Sequence, residues 1–237
     1  MSTGSGPANV TIVAVGPGDA RMLTLQGREA LEQADLVAGF KTVLDVVRPW
    51  LDHAEMCPMT YRDQEDVLEY AVGQAREGKN LVVCCWGDLN VSARELLARV
   101  KRRADQVRLI PGISSVQIAC ARAGISLEDV VFITLHQRRE IEGDLEELVH
   151  YLREGRRHVI LLPRPWDLMP PAIAGHLIEA GITDQQQIIV YQRLTLSDEQ
   201  EWRGNLRECA EFAGEHSDLT IMVLPRASGD AHNGPEE

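Results

Sequence analysis

The sequence predicts an α/β fold with mostly parallel sheets, and two observations support that prediction. Short apolar runs rich in β-branched residues recur along the chain, and most of them do not alternate with polar residues, as is typical of strands buried on both faces. Between these runs lie segments with the apolar spacing of amphipathic helices. The regular alternation of the two patterns indicates βαβ units.

The elements follow one another along nearly the whole chain. The predicted strands are Val10–Val15, Leu36–Ala38, Leu81–Cys85, Val107–Ile110, Val130–Leu135, His158–Leu162, Ile188–Tyr191 and Leu219–Leu224. The predicted helices are the segment containing Val67–Ala75, with Asp63 as its N-cap, and the segments Ser92–Arg103, Ser114–Ala123, Leu145–Arg153 and Pro170–Ala180.

The length of 237 residues suits either one large sheet or two smaller α/β domains. Pro111-Gly112 is the candidate boundary because it follows a buried strand and both residues interrupt regular structure. The prediction is therefore an N-terminal α/β domain over 10–112 and a C-terminal α/β domain over 113–226. The polar, Gly- and Pro-containing ends, 1–9 and 227–237, are expected to be disordered tails.

Composition excludes several classes of protein. With 44% hydrophobic and 25% charged residues the chain is close to the average globular domain, which argues against disordered, collagenous, coiled-coil and disulfide-scaffold classes. Asp and Glu number 36 against 24 Lys and Arg, a net charge of -12 that disfavours nucleic-acid binding. An anionic partner must therefore meet a local group of basic residues.

Cysteine usage and hydropathy predict a cytoplasmic protein that is neither exported nor inserted in a membrane. The five cysteines are an odd number without a C-x-x-C spacing, which argues against a disulfide framework and against a thiolate zinc site. His53 and Cys57 lack companion ligands, so no metal site is expected. No signal-peptide pattern begins the sequence, and no apolar stretch is long enough for a membrane helix.

The first candidate ligand loop is Gly16-Pro17-Gly18-Asp19, which directly follows the first predicted strand. Ligands of open α/β sheets bind beyond the carboxyl ends of strands, and a turn without large side chains lets a ligand approach the backbone. The segment is not a dinucleotide fingerprint, because Arg21 occupies the position of the third glycine, and it is not a P-loop. A simple tight turn between strand and helix explains it equally well.

Two further loops follow predicted strands in the same way. In Trp86-Gly87-Asp88-Leu89-Asn90-Val91, Asp88 or Asn90 could cap the next helix, or the loop could place a carboxylate beside a cationic ligand. Ser114 and Ser115 stand where a helix begins and have the properties of ordinary N-caps, unless other loops converge on them.

A polar, basic segment follows the strand Val130–Leu135. His136 could act as a base or hydrogen-bond donor, and Arg138 and Arg139 could hold carboxylates. Arg164 and Arg193 follow later strands and would extend an anion-binding rim if the strand ends cluster. A solvated loop with an incidental histidine is the alternative.

Taken in order, these segments resemble the tetrapyrrole (corrin/porphyrin) methylase family over nearly the whole body of the chain. The similarity rests on Gly16-Pro17-Gly18-Asp19 followed by Leu23-Thr24, on Asp35–Gly39, on Gly87-Asp88 and on Pro111–Ser115. Within the family, Ile110–Gln117 and Leu135–Arg138 are most similar to the branch that methylates C5 of precorrins, in its free-standing form.

The resemblance implies an architecture and an activity. It implies two α/β domains with S-adenosyl-L-methionine in the cleft between them, where the active site lies, and usually a homodimer. The implied reaction is methylation of C5 of a precorrin-type tetrapyrrole in cobalamin biosynthesis, with S-adenosyl-L-homocysteine as product. Methylation at C15 and decarboxylation would then belong to a separate protein.

The resemblance also implies roles for individual residues. The cofactor-binding candidates are Val15, Gly16, Pro17, Gly18, Trp86, Gly87, Asp88, Asn90, Val91, Ser114 and Ser115. The substrate-binding candidates are Asp19, Arg138, Arg139, Arg164 and Arg193. His136 is the candidate catalytic base.

Three positions depart from the family pattern. Ala14 replaces a glycine, Gln137 replaces the glycine of an L-H-G-R motif, and Leu89–Ala93 replaces a segment that usually contains proline and aromatic residues. Two alternatives therefore stay open: a relative that methylates another acceptor, such as uroporphyrinogen or another precorrin, and a non-catalytic protein that binds S-adenosylmethionine or a tetrapyrrole.

Overall fold

The computed structural model describes residues 6–91 and 93–226. By its internal contacts the chain divides into two units, the first ending at Ser115 and the second beginning at Val116. The boundary proposed at Pro111-Gly112 lies a few residues earlier. Of the two expected tails, residues 1–5 and 227–237 lie outside the described part of the chain.

Residues 6–9, assigned to the first tail, pack on the first unit. The Gly6 amide donates to the Arg76 carbonyl at 2.9 Å, and the Ala8 amide donates to the Asp105 carboxylate at 2.8 Å. Ala8 is fully buried, and Asn9 already belongs to the first strand. The partners in these contacts lie far along the chain, so the composition of residues 6–9 does not predict the contacts.

The first unit is a five-stranded parallel sheet with helices. Its elements are β1 Asn9–Ala14, α1 Leu25–Glu32, β2 Leu36–Phe40, α2 Lys41–Val47, β3 Glu55–Met59, α3 Gln64–Arg76, β4 Leu81–Cys85, α4 Arg94–Lys101 and β5 Gln106–Ile110. The strand order is β3-β2-β4-β1-β5, and every pair is parallel. The next helix, α5 Ser115–Ala123, begins at the end of this unit. The fully buried β4 confirms the prediction from unalternated apolar runs.

The strand β3 was not predicted. Its sequence, Glu-Met-Cys-Pro-Met, is short and contains Pro58. It lies at the edge of the sheet, where a residue without an amide proton is tolerated.

The second unit contains a five-stranded sheet of a different kind. Its elements are β6 Val130–Thr134, α6 Glu142–Glu154, β7 His158–Leu162, α7 Pro170–Glu179, β8 Gln187–Gln192, β9 Gln200–Asn205, α8 Leu206–Ala210 and β10 Thr220–Leu224. The order is β6-β7-β10-β8-β9. Among the described strands of this unit, β6 and β7 form the one parallel pair, and the other three pairs are antiparallel.

The prediction of mostly parallel sheets is therefore correct for the first unit and wrong for the second. The chain leaves β8 and returns after a short connection as β9, which makes a hairpin and not a helical crossover. The strand β9, Gln-Glu-Trp-Arg-Gly-Asn, is mostly polar and lies at an edge, so its sequence lacks the apolar pattern used to predict strands.

The described residues also bear on the predictions about cysteines, membrane helices and metal ligands. All five cysteines are free and buried, and burial raises the pKa of Cys85 to about 12. Within the described ranges, no helix has the length and apolar character needed to cross a membrane. No group of three or more potential metal ligands comes together in the same ranges.

His158 predicts a pH dependence of stability. Burial and the positive charge of Arg226 lower the pKa of His158, and its Nδ1 accepts the Arg226 amide at 3.2 Å, a bond that requires the neutral ring. The unfolded chain therefore binds this proton at higher pH than the folded chain does. The stabilisation is present above the unfolded pKa and is lost as pH falls through and below it. We expect the free energy of unfolding to decrease between about pH 7.5 and about pH 5.5.

Urea unfolding at both pH values tests this expectation. The decrease should be smaller in His158→Asn than in the wild type. The control is His150→Asn, an exposed position on α6, which should retain the wild-type decrease. An unchanged decrease in His158→Asn would contradict the assignment.

Candidate active site

Three loops of the first unit meet at one edge of its sheet. Strands β1, β4 and β5 are adjacent and parallel, so their carboxyl ends share an edge. The loops that follow them contain residues 15–19, 86–91 and 111–115, which together we call the three-loop edge. Sheet topology thus brings together the segments proposed as cofactor loops, in the position where open α/β sheets bind ligands.

The first two loops are hydrogen-bonded to each other through their glycines. The Gly16 amide donates to the Gly87 carbonyl at 3.1 Å, and the Gly87 amide donates to the Gly16 carbonyl at 2.8 Å. The φ angles of these residues are +86° and +61°, a region that favours glycine. The Val15 amide also donates to the Cys85 carbonyl oxygen at 2.9 Å, so the pairing of β1 with β4 continues beyond the ends of the strands.

Gly112 allows the third loop to approach the other two. A methyl group added at Gly112 would lie 2.6 Å from the Ala14 carbonyl oxygen and 2.7 Å from the Gly87 carbonyl oxygen. It would also lie 2.9 Å from the Ala14 methyl group. The departure from the family pattern at Ala14 is therefore accommodated by the absence of a side chain at Gly112.

Asp88 links the second and third loops. One carboxylate oxygen accepts the backbone amide of Asn90 at 2.8 Å and its side-chain amide at 2.9 Å. The other accepts the Gly112 amide at 3.2 Å. The expectation that Asp88 or Asn90 caps the following helix is wrong, because α4 begins at Arg94 and Ala93 is its N-cap residue.

The altered segment Leu89–Ala93 has a structural role at its two ends. Leu89 is 6% exposed and Ala93 is 7% exposed, and both belong to the apolar core of the first unit. Asn90 and Val91 lie between them at the surface, and Ser92, where the helix was predicted to start, lies outside the described residues. The two ends of the altered segment therefore contribute apolar side chains to this core.

The other cofactor candidates of this unit differ in exposure. Val15, Pro17 and Gly18 are buried, and Trp86 is half-buried against an apolar cluster. Ser114 is 5% exposed, and Ser115 begins α5.

Asp19, predicted to contact substrate, interacts with Arg21. Its carboxylate accepts the Arg21 amide at 2.9 Å and the Arg21 guanidinium at 2.6 Å. These hydrogen bonds to Arg21 lower the pKa of Asp19. The carboxylate also caps the short turn Ala20–Met22.

In the second unit, three candidate segments follow strands that run in the same direction. The strand β6 is parallel to β7, and β10 is antiparallel to both β7 and β8, so β6, β7 and β8 end at one edge. His136, Arg164 and Arg193 follow these three strands. These three strand ends therefore share one edge of the sheet, which is the condition set above for an anion-binding rim.

His136 and Arg164 share a neighbour that the sequence interpretation did not include. The His136 ring makes an edge-on contact with Trp166, with 5.7 Å between ring centres. The Arg164 guanidinium lies 6.0 Å from the Trp166 ring centre and pairs with Asp167 at 2.6 Å. Trp166 is 53% exposed, and a tryptophan in a polar turn directly after a buried strand is a signal that sequence reasoning could have used.

The remaining arginines do not all join this group. Arg139 pairs with Asp144 at 2.9 Å on α6, and Arg193 pairs with Asp198 at 2.7 Å. Because β10 lies between β7 and β8, Arg193 starts about two strand spacings, or about 10 Å, from Arg164. Arg138 is exposed.

The fold and the three-loop edge define an α/β protein in which glycine turns and one carboxylate meet at the carboxyl ends of a parallel sheet. The family described as Tetrapyrrole (Corrin/Porphyrin) Methylases matches residues 9–210. The chain belongs to this family, and it is therefore a methyltransferase of the tetrapyrrole class.

Individual relatives are similar over almost their whole length. A Methanocaldococcus jannaschii protein named as a probable cobalt-precorrin-7 C(5)-methyltransferase is 32% identical over 215 residues, covering 90% of this chain and 96% of that protein. The crystal structure of a precorrin-6Y methylase from Archaeoglobus fulgidus has a TM-score of 0.66 at 23% identity, covering 93% and 99% of the two chains.

A third relative was crystallised with a product of methyl transfer. The Thermus thermophilus uroporphyrin-III C-methyl transferase, complexed with S-adenosyl homocysteine, has a TM-score of 0.71 at 21% identity, covering 92% of this chain and 97% of that chain. At these identities the two solved structures establish a shared fold.

Proposed function

We propose that this chain is an S-adenosyl-L-methionine-dependent C-methyltransferase that acts on C5 of a precorrin-type tetrapyrrole in cobalamin biosynthesis. The observation that carries the proposal is the 32% identity, over 96% of its length, to the relative named for C5 methylation of cobalt-precorrin-7. The motifs Pro111–Ser115 and Leu135–Arg138, which are similar to the same branch, support it.

The three-loop edge offers groups that fit this cofactor. The Asp88 carboxylate, which accepts hydrogen bonds from the amides of Asn90 and Gly112, supplies negative charge for the sulfonium of the cofactor. Above Gly87 there is space, since a methyl group added there would meet only the Ser114 Cα, at 3.9 Å. We assign Val15–Gly18, Trp86–Asp88, Asn90, Val91, Ser114 and Ser115 to cofactor binding. The cofactor supplies the electrophilic methyl group, and S-adenosyl-L-homocysteine is the product.

The residues of the chain contribute position, charge and proton transfer. A fixed near-attack geometry can supply up to about 7–11 kcal/mol of barrier reduction. Arg138, Arg139, Arg164 and Arg193, together with Asp19, are assigned to the polar groups of the substrate, whose acetate and propionate carboxylates need local cations in an acidic protein. A ring nitrogen of His136 is assigned to accept the proton that the methylated carbon loses.

We further infer a cytoplasmic homodimer that works beside a separate C15-methyltransferase and decarboxylase. The support is the resemblance to the family. Light scattering at micromolar concentration tests the dimer, and a monomer mass would contradict it.

Anaerobic incubation with S-adenosylmethionine tests the function itself. Precorrin-7 and its cobalt form are offered separately, and mass spectrometry should show a gain of one methyl group located at C5. A deuterated methyl donor identifies the source of the group. Methylation of uroporphyrinogen or of another precorrin in place of these substrates would contradict the C5 assignment, and binding without turnover on any of them would favour a non-catalytic role.

Ser115→Trp is expected to abolish cofactor binding, measured by titration calorimetry with S-adenosylmethionine. Ser115 is the first residue of α5 at the three-loop edge, and an indole there would occupy the space assigned to the cofactor. The matched control is Ser197→Trp in an exposed loop of the second unit, which should bind normally. Wild-type affinity in Ser115→Trp would remove this residue from the site.

Arg138→Ala is expected to lower kcat/KM for the tetrapyrrole by a factor of about 10 to 150, since a hydrogen bond between charged groups contributes about 1.5–3 kcal/mol. S-adenosylmethionine affinity should stay unchanged. The control is Arg156→Ala. Arg156 has 81% side-chain exposure and precedes the amino end of β7, whereas the candidate residues follow the carboxyl ends of strands. Equal loss of affinity for both ligands would count against a role in substrate binding.

A further inference from the structure

A second feature of the first unit lies where the strands of its sheet end. It is formed by Phe40, Lys41, Tyr61 and Arg62, and we call it the aromatic–cation ledge. We propose that this ledge binds the tetrapyrrole, with the rings against the macrocycle face and the two cations against its peripheral carboxylates. The inference rests on the proposed function and adds substrate-binding residues to it.

The ledge lies on the same edge of the sheet as the cofactor loops. Phe40 ends β2 and is paired in register with Met59, which ends β3, and Tyr61 follows two residues later. The strand β2 is also parallel to β4, after which Trp86 stands. Phe40 and Trp86 are both half-buried and pack against the same apolar cluster, so the ledge and the cofactor loop share one part of the core.

Tyr61 is held in an exposed position by its turn. Its ring contacts the Phe40 ring, with 4.8 Å between ring centres and 48° between planes, yet Tyr61 is 66% exposed. Asp63 accepts the Thr60 hydroxyl at 2.9 Å, and the amide of the buried Gln64 donates to the Tyr61 carbonyl at 3.2 Å. The turn is therefore ordered before any ligand binds, which lowers the entropic cost of binding.

The charge of the ledge is opposite to that of the protein. The net charge is -12, yet Lys41 directly follows Phe40 in the sequence, Arg62 directly follows Tyr61, and both cations are exposed. Within the described ranges neither side chain forms an ion pair or a hydrogen bond, whereas Arg99 and Arg103 nearby are paired with Glu65. Aromatic side chains beside available cations complement a macrocycle with carboxylates at its rim.

Equilibrium titration of the full chain with uroporphyrin tests the ledge, with coproporphyrin as a ligand that has fewer carboxylates. We expect Tyr61→Ala to weaken uroporphyrin binding about tenfold and Tyr61→Phe to retain it, because stacking needs the ring and not the hydroxyl. The double variant Lys41→Gln/Arg62→Gln should weaken binding about fivefold and reduce its dependence on salt. The same double variant should reduce the preference for uroporphyrin over coproporphyrin.

Matched controls distinguish an effect of the ledge from a general effect of removing a tyrosine or a lysine. Tyr70→Ala removes another exposed tyrosine, on α3, and Lys101→Gln removes an exposed lysine at the end of α4. Both should bind uroporphyrin like the wild type. All variants should bind S-adenosylmethionine with wild-type affinity, measured by calorimetry.

The outcomes distinguish this inference from the proposed function. If the wild type binds uroporphyrin and the ledge variants bind it equally well, the ledge is wrong and the function stands. If the ledge variants lose S-adenosylmethionine affinity in parallel, the ledge is also wrong, because its residues then support the cofactor loops. If the wild type binds the cofactor but no tetrapyrrole, the proposed function fails and the ledge fails with it.

Discussion

Gly112→Ala is expected to weaken S-adenosylmethionine binding by at least about tenfold and to lower the Tm by several degrees. The added methyl group would lie 2.6 Å and 2.7 Å from two backbone carbonyl oxygens, those of Ala14 and Gly87. Neither oxygen can rotate away, so the third loop must move and carry Ser114 and Ser115 with it. Overpacking of this kind costs about 1–3 kcal/mol, and each kcal/mol lowers the Tm of a chain of this size by about 2–4 °C.

The control for Gly112→Ala is Gly73→Ala in α3. A methyl group at Gly73 would meet nothing within 4 Å, and alanine in a helix is favoured over glycine. This variant should keep the wild-type cofactor affinity, and its Tm should be equal or slightly higher. A Gly112→Ala protein with unchanged affinity and Tm would show that the three loops are not packed as described.

His136→Ala is expected to lower kcat by about 100-fold or more while leaving cofactor affinity intact. General base catalysis by a positioned side chain typically contributes a factor of about 100 to 10,000. His136 follows β6, with its amide donating to the Thr134 hydroxyl at 3.2 Å and its ring held against Trp166. Single-turnover kinetics with the tetrapyrrole, together with calorimetry for the cofactor, separates chemistry from binding.

The control for this variant is His150→Ala, which removes an exposed histidine from α6. It should turn over at the wild-type rate. A His136→Ala enzyme of undiminished kcat, with an unchanged pH–rate profile, would show that the substrate loses its proton without this residue.

The strands of the first unit illustrate what local sequence can predict. β1, β2 and β4 are unalternated apolar runs, and a strand buried on both faces needs no more than that pattern to be recognised. The edge strands β3 and β9 have no such pattern, because an edge position removes the requirement for continuous apolar residues. One of the three antiparallel pairs in the second sheet, β8 with β9, was missed for the same reason. The other two pairs involve β10, whose apolar sequence identifies a strand but not its direction.

The candidate site likewise combines features that local sequence predicts with features that depend on the fold. The order of the motifs was enough to predict the family, because glycine turns after strands are encoded locally. The hydrogen-bond partners of Asp19 and Asp88, however, depend on which groups the fold places beside them, Arg21 for one and Gly112 for the other. The roles of Trp166 and Tyr61 also depend on placement, since an aromatic residue in a polar turn has no assigned neighbour until strand order is known.

Apolar periodicity and glycine turns are properties of short segments, so the α/β class, the family and the loops that follow the strands could be predicted from local patterns. Tertiary structure alone decided that the first three loops meet at Gly16, Gly87 and Gly112, and that the second sheet is mostly antiparallel. The physical reason is that strand order and direction are set by hydrogen bonds between residues far apart in the chain. No short segment contains that information.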